Sequence, residues 1–148
     1  MTPERIALVQ DTFTTLVPRA DEVAALFYDT LFRIAPNVRE MFGSDMAAQG
    51  KKLMNTLSLA VQNLDRFADL EPALRLLAER HVDYGVRDEH YDLVGAALLR
   101  TLESGLGPAF TDDVEAAWTE TYFAIAETMR RAAARAGPTR GAAAARRS

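Results

Sequence analysis

The stretch LLAERHVDYG, residues 76–85, carries one of the two histidines in a chain of 148 residues. His81 follows Ala78, Leu77 and Leu74 by three, four and seven residues, spacings that put all four on one face of a helix. Pro72 is read as the start of this helix and Gly85 as its C-terminal cap. A lone histidine on an apolar face has two readings. It can be a core residue, paired because buried polar groups are hydrogen-bonded. It can also be the single protein ligand of a large planar cofactor with a central metal, held mostly by burial. Haem iron takes one imidazole in this way and leaves the opposite position open. The second ring N–H then needs an acceptor, and the carbonyl one turn earlier, near Leu77, is placed to be one. On the stretch alone the core reading leads.

Other chemistries fail on spacing or composition. Carboxylate-bridged di-iron sites need paired Glu-x-x-His motifs. The residue three before His81 is Ala78, and three before His90 is Arg87. His90 itself reads as a surface residue at a helix start. His-Glu-x-x-His is absent, and Gly105 with Gly107 is too little for a phosphate loop. There is no strand-turn-helix elbow to present a serine nucleophile. The chain has no cysteine, which excludes disulfides, thiolate zinc sites, iron–sulfur clusters and haem linked through Cys-x-x-Cys-His.

The periodicity is helical throughout, giving an all-α domain of six to eight unequal helices. Thr2 and Pro3 open a helix that runs to Leu16, and Pro18 interrupts it. Asp21 caps a second helix through Arg33, with Ala24, Phe27, Tyr28 and Leu31 on one face. Pro36 begins a short helical turn. A long helix covers 46–64, with Gln49, Leu53, Leu57, Ala60, Val61 and Leu64 in its stripe. Asp88 precedes a helix to Ser104, 105–110 is a loop, and Thr111 begins a last helix to Ala134.

The domain therefore spans 1–134, followed by an Arg/Ala-rich tail, 135–148, expected to be solvated and disordered. Residues 130–148 hold six arginines and no acid, which leaves eleven basic and twenty-one acidic side chains over 1–129, a net of −10. Such an acidic body, with no basic–aromatic stripe, argues against nucleic-acid binding. The first twenty residues lack a basic start followed by an apolar run, and no segment reaches the ~20 apolar residues of a membrane span. The expectation is a soluble cytoplasmic protein, a monomer or weak homodimer.

Several stretches, in order over residues 4–130, resemble the globin family. QGKKLMNTLSLAV (49–61) resembles the distal helix, and FYDTLFRIAPNVREMFG (27–43) the second and third helices with the phenylalanine that wedges against haem. LLAERHVDYGVRDEHYDLVGAALL (76–99) resembles the proximal helix and its successor, and AWTETYFAIAE (117–127) the last helix. The likeness is greatest to bacterial single-domain haemoglobins and to the globin part of flavohaemoglobins. It implies a globin fold around non-covalent haem b, with His81 as the iron ligand. Phe42 matches the haem-contacting phenylalanine. Tyr28 and Gln49 match polar residues that stabilise bound O₂, and Leu53 the apolar residue above the open iron position. Leu57, Leu77, Val86 and Val94 fall on the dry walls. Lys52 and Arg80 match propionate partners, and both could equally be solvated surface charges.

The family's proximal side also carries a Tyr–Glu pair that polarises the histidine. Tyr91 fits the tyrosine, but the glutamate position falls on Ala133, which weakens electron push to the iron. The resemblance thus implies a high-affinity binder of O₂, with NO and CO as further ligands. Two alternatives stand beside it. One is nitric oxide dioxygenase and nitric oxide detoxification, fed by a separate reductase because the chain has no room for one. The other is a haem-free signalling globin, against which the presence of both His81 and Phe42 speaks.

Overall fold

The structure is a computed structural model that describes the backbone of residues 1–147 and the side chains of residues 1–135. Helix α1, Pro3–Leu16, starts where Thr2 Oγ1 accepts the Arg5 N–H at 3.2 Å, with proline in the first turn where its missing N–H costs nothing. A 3-10 turn, Val17–Arg19, follows at Pro18. Helix α2 is Ala20–Ile34 and buries Val23, Ala24, Phe27, Tyr28 and Leu31. Asp21 lies inside its first turn and makes no capping bond, so its carboxylate serves the helix dipole instead. A 3-10 turn, Pro36–Met41, leads through Phe42 to α3, Met46–Gln62. Asp45 caps α3 by accepting the Ala48 N–H at 3.1 Å.

Helix α4 is Phe67–Asp83 and corrects one expectation: Pro72 lies within it and does not begin it. The missing N–H removes one rung early in the helix. The apolar contacts of Phe67 and Leu70 with the core hold the turns before it. Gly85 does end the segment, at φ +86°, a conformation glycine adopts without strain. Helix α5 is Asp88–Leu106, two residues past the Ser104 expected to end it. Asp88 is its first residue, and the Arg87 backbone N–H donates to His90 Nδ1 at 2.8 Å. After the turn Gly107–Ala109, Thr111 Oγ1 accepts the Val114 N–H at 3.2 Å and α6 is Asp112–Arg147. The expected tail lies, from residue 136 on, outside the described side chains. No helix among the described residues is long and apolar enough to cross a membrane, and none of these residues forms a strand.

The core is in two parts. The larger gathers α1, α2, α3, α5 and the start of α6 around Phe13, Phe27 and Trp118. The Trp118 indole N–H donates to Thr12 Oγ1 at 2.9 Å, so its buried polar atom is satisfied. The smaller joins α4, the start of α5 and the second half of α6 through Leu70, Leu74, Ala78, Tyr91, Ala126 and Met129. Phe67 and Tyr122 touch both. A hollow of about 230 Å³ opens between α3 and α4, lined by Thr56 and Ala60 on one side and Leu70, Leu74, Leu77 and Arg80 on the other.

Candidate functional site

The site residues divide between the two cores. Phe42, Leu53, Leu57 and Val94 are half-buried against the larger one. Leu77 and Val86 are half-buried against the smaller one, which also contains Tyr91. Lys52 and Arg80 are exposed, Arg80 at the rim of the hollow.

On α4, His81 Nδ1 stands 2.9 Å from the Leu77 carbonyl oxygen. A carbonyl only accepts, so this contact makes Nδ1 the protonated nitrogen and leaves the lone pair on Nε2. Burial holds the imidazole below its ordinary pKa, and the Leu77 bond offsets part of that shift. A neutral imidazole with its second nitrogen oriented by a carbonyl is the form that ligates a metal. The Val86 N–H donates to the His81 carbonyl at 2.9 Å and closes the turn after the helix.

Tyr91 lies beside this imidazole, its ring centroid 6.5 Å away and inclined by 21°. Tyr122 donates its hydroxyl proton to the Tyr91 backbone carbonyl at 2.6 Å. The Tyr91 hydroxyl is buried and has no partner among the described residues. The Arg130 guanidinium sits over the Tyr91 ring, 5.4 Å from its centroid.

On the α2–α3 side, Tyr28 is buried and the Gln49 side chain lies close enough to its phenol to influence it. Burial raises the phenol's pKa and the Gln49 contact partly counters it, so the hydroxyl keeps its proton at neutral pH. Phe42 meets Tyr28 edge-on at 5.4 Å and Phe32 at 5.6 Å, forming an aromatic wall. The Arg39 guanidinium donates to the Phe42 and Gly43 carbonyls, both at 3.2 Å, which fixes the segment carrying Phe42.

These residues fit a planar cofactor: one imidazole oriented by a carbonyl, an aromatic wall at Phe42, and half-buried apolar side chains on α3, α4 and α5. Among the described residues no three His, Asp or Glu side chains gather to chelate a bare ion.

The family model that matches this chain is Globin, over residues 25–129. The chain is a globin. A globin-like protein of Aquifex aeolicus is 33% identical over 129 residues, covering 87% of this globin and 91% of that protein. The flavohemoprotein of Vibrio cholerae is 29% identical over 87% of this globin, and that of Chromobacterium violaceum 32% over 83%. This globin spans about a third of each flavohemoprotein's length (34% and 31%). Among solved structures, a bacterial globin from Campylobacter jejuni superposes with a TM-score of 0.80 at 28% identity, covering 88% of this globin and 95% of that chain. Family membership and the flavohemoprotein relatives imply haem binding.

Two groups escaped the sequence reading. Arg130 was grouped by composition with the basic end of the chain, yet its side chain is only 21% exposed and lies against the site. The Tyr122 bond to Tyr91 joins residues 31 apart, and no local signal marks it.

Proposed function

We propose that this globin holds haem b through His81 and binds O₂ reversibly, with Tyr28 and Gln49 as hydrogen-bond donors to the ligand. Haem in such a site supplies an iron atom that takes diatomic gases at one open position. Everything else falls to the chain. His81 anchors the metal through Nε2 because Leu77 occupies Nδ1. Phe42, Leu53 and Leu57 on the α3 side, and Leu77, Val86 and Val94 on α4 and α5, exclude water from the face of the ring. The Gln49 side chain lies close to the Tyr28 phenol, so the two polar ends are near one another. A ligand that draws negative charge enters as a third partner and accepts from either donor. Lys52 and Arg80, both exposed, would pair with the cofactor's carboxylates.

The observation that carries the reading is the His81–Leu77 contact, because it fixes which nitrogen is free. Visible spectra of the hemin-loaded protein in ferric, ferrous and oxygenated states, beside His81→Ala, test it. A protein that stays colourless with hemin, or an alanine variant with the wild-type spectrum, would overturn it.

A second reading, nitric oxide dioxygenase fed by a separate reductase, draws on the comparisons. The flavohemoprotein relatives are one support. The other is an engineered carbene transferase from Rhodothermus marinus, described as a proposed nitric oxide dioxygenase, with a TM-score of 0.83 at 26% identity, covering 92% of this globin and 95% of that chain. Nitric oxide and O₂ combine to nitrate with one electron from the reductant. Sustained consumption of nitric oxide with a supplied reductase and reduced nicotinamide marks the enzyme, whereas one turnover that stops marks a binder.

A further inference from the structure

We infer that Arg130 is a positioning residue for the proximal imidazole: it holds the Tyr91 ring in place beside His81. This rests on the reading of His81 as the haem ligand.

A buried tyrosine is ordinarily oriented at its tip, where the hydroxyl finds a partner. Tyr91 has no such tether among the described residues, where its hydroxyl is buried and unpaired. Tyr122 grips only the backbone carbonyl of Tyr91, which fixes where the residue sits and not how the ring turns. Packing on the ring faces must therefore set its angle, and the polar group that packs there is Arg130.

Arg130 is itself held from three sides. Nη2 lies 2.7 Å from Asp92 Oδ1, and Nη1 lies 3.3 Å from Glu127 Oε1. Nε pairs with Asp88 Oδ1 at 2.9 Å by charge, at an angle that makes no hydrogen bond. Asp88 and Asp92 come from α5, the helix that carries Tyr91, so the guanidinium links α6 to the start of α5. The Asp88 and Asp92 carboxylates are largely exposed, Glu127 is about one-third exposed, and each pair alone is weak, but three on one planar cation fix its orientation. That cation then covers an aromatic face, a favourable placement in its own right. The chain of contacts runs from Asp88, Asp92 and Glu127 through Arg130 and Tyr91 to His81.

The test uses the full chain loaded with hemin and reduced without ligand. Resonance Raman reads the iron–imidazole stretching band, which reports strain and orientation of the ligand ring. Arg130→Leu is expected to shift or broaden this band relative to the wild type, and the milder Arg130→Gln to move it the same way. In a Tyr91→Leu background the further change Arg130→Leu is expected to leave the band where Tyr91→Leu put it, since the contact through which Arg130 acts is gone. A wild-type band in both Arg130 variants overturns the inference. So does an equal displacement with and without Tyr91. A wild-type chain that takes up no hemin ends the haem reading first, and the inference falls with it.

Discussion

The Nδ1 of His81 faces the carbonyl oxygen of Leu77 at 2.9 Å, one turn back along the same helix. That carbonyl is shared with the helix ladder, so the contact needs no special loop to supply it. It selects the tautomer and restrains the ring before any cofactor arrives, which lowers the ordering cost of ligation. In hemin titrations followed at the Soret band, the wild type should reach a sharp one-to-one end point. His81→Ala should give a shallow rise without one. Matching curves would remove His81 from the iron.

Tyr28 on α2 and Gln49 on α3, 21 residues apart in sequence, bring their polar side chains near one another. A hydrogen bond to a charged group contributes about 1.5–3 kcal/mol, so each donor should slow O₂ release by roughly ten- to a hundredfold. Tyr28→Phe and Gln49→Leu are each expected to raise the dissociation rate on that order while changing the association rate little. Stopped-flow displacement of O₂ by CO measures it. Unchanged rates in both variants would leave the distal pair without a part in ligand binding.

How far the sequence carried the structure depended on how local each signal was. Thr2 with Pro3, Asp45 before α3, Thr111 before α6 and Gly85 after α4 act within a turn, and most helix ends are legible from such residues. The Leu77 acceptor follows from the helical repeat alone. Pro72 misled because a proline marks a first turn only when nothing upstream holds a helix, and here Phe67 and Leu70 do. Asp21 and Asp88 have the chemistry of caps but are the second and the first residues of their helices, where helix starts are least certain. Arg130 was hidden for a different reason. Two of its carboxylate partners are 38 and 42 residues away, on a helix whose packing against α6 no short pattern announces.

Three of the four tyrosines carry phenols whose pKa lies above the ordinary value of 10: Tyr28, Tyr91 and Tyr122, each chiefly through burial. The unfolded chain therefore loses these protons first as pH rises. Their contribution to stability is whole below pH 10 and falls as pH climbs past 10 toward the folded values. Thermal melting of the folded protein should move to lower temperature across that range. Tyr122→Phe should flatten this dependence while lowering stability at neutral pH, because the Tyr91 carbonyl loses the Tyr122 donor. Absorbance titration near 295 nm gives the phenolate count directly. Early ionisation of all the tyrosines in the folded state would contradict the buried settings of these three.

Gly95, in the middle of α5, lies under the Tyr122 ring: a Cβ built there would stand 2.8 Å from Tyr122 Cε2 and 3.0 Å from Cδ2. Two effects of Gly95→Ala oppose each other. Alanine is the better helix former by about 0.8–1.0 kcal/mol. Against this, the ring cannot swing aside as a flexible side chain would, because its hydroxyl is bonded to the Tyr91 carbonyl and it packs against both cores. Overpacking of a fixed group costs about 1–3 kcal/mol. The clash should win, and Gly95→Ala is expected to lower the denaturation midpoint in urea with little change in slope. A double variant with Tyr122→Leu removes the obstructing ring, so there the alanine should become neutral or stabilising relative to Tyr122→Leu alone. If Gly95→Ala stabilises the wild type outright, the close approach of these two helices is looser than the structure has it, and the hold of Tyr122 on Tyr91 weakens with it.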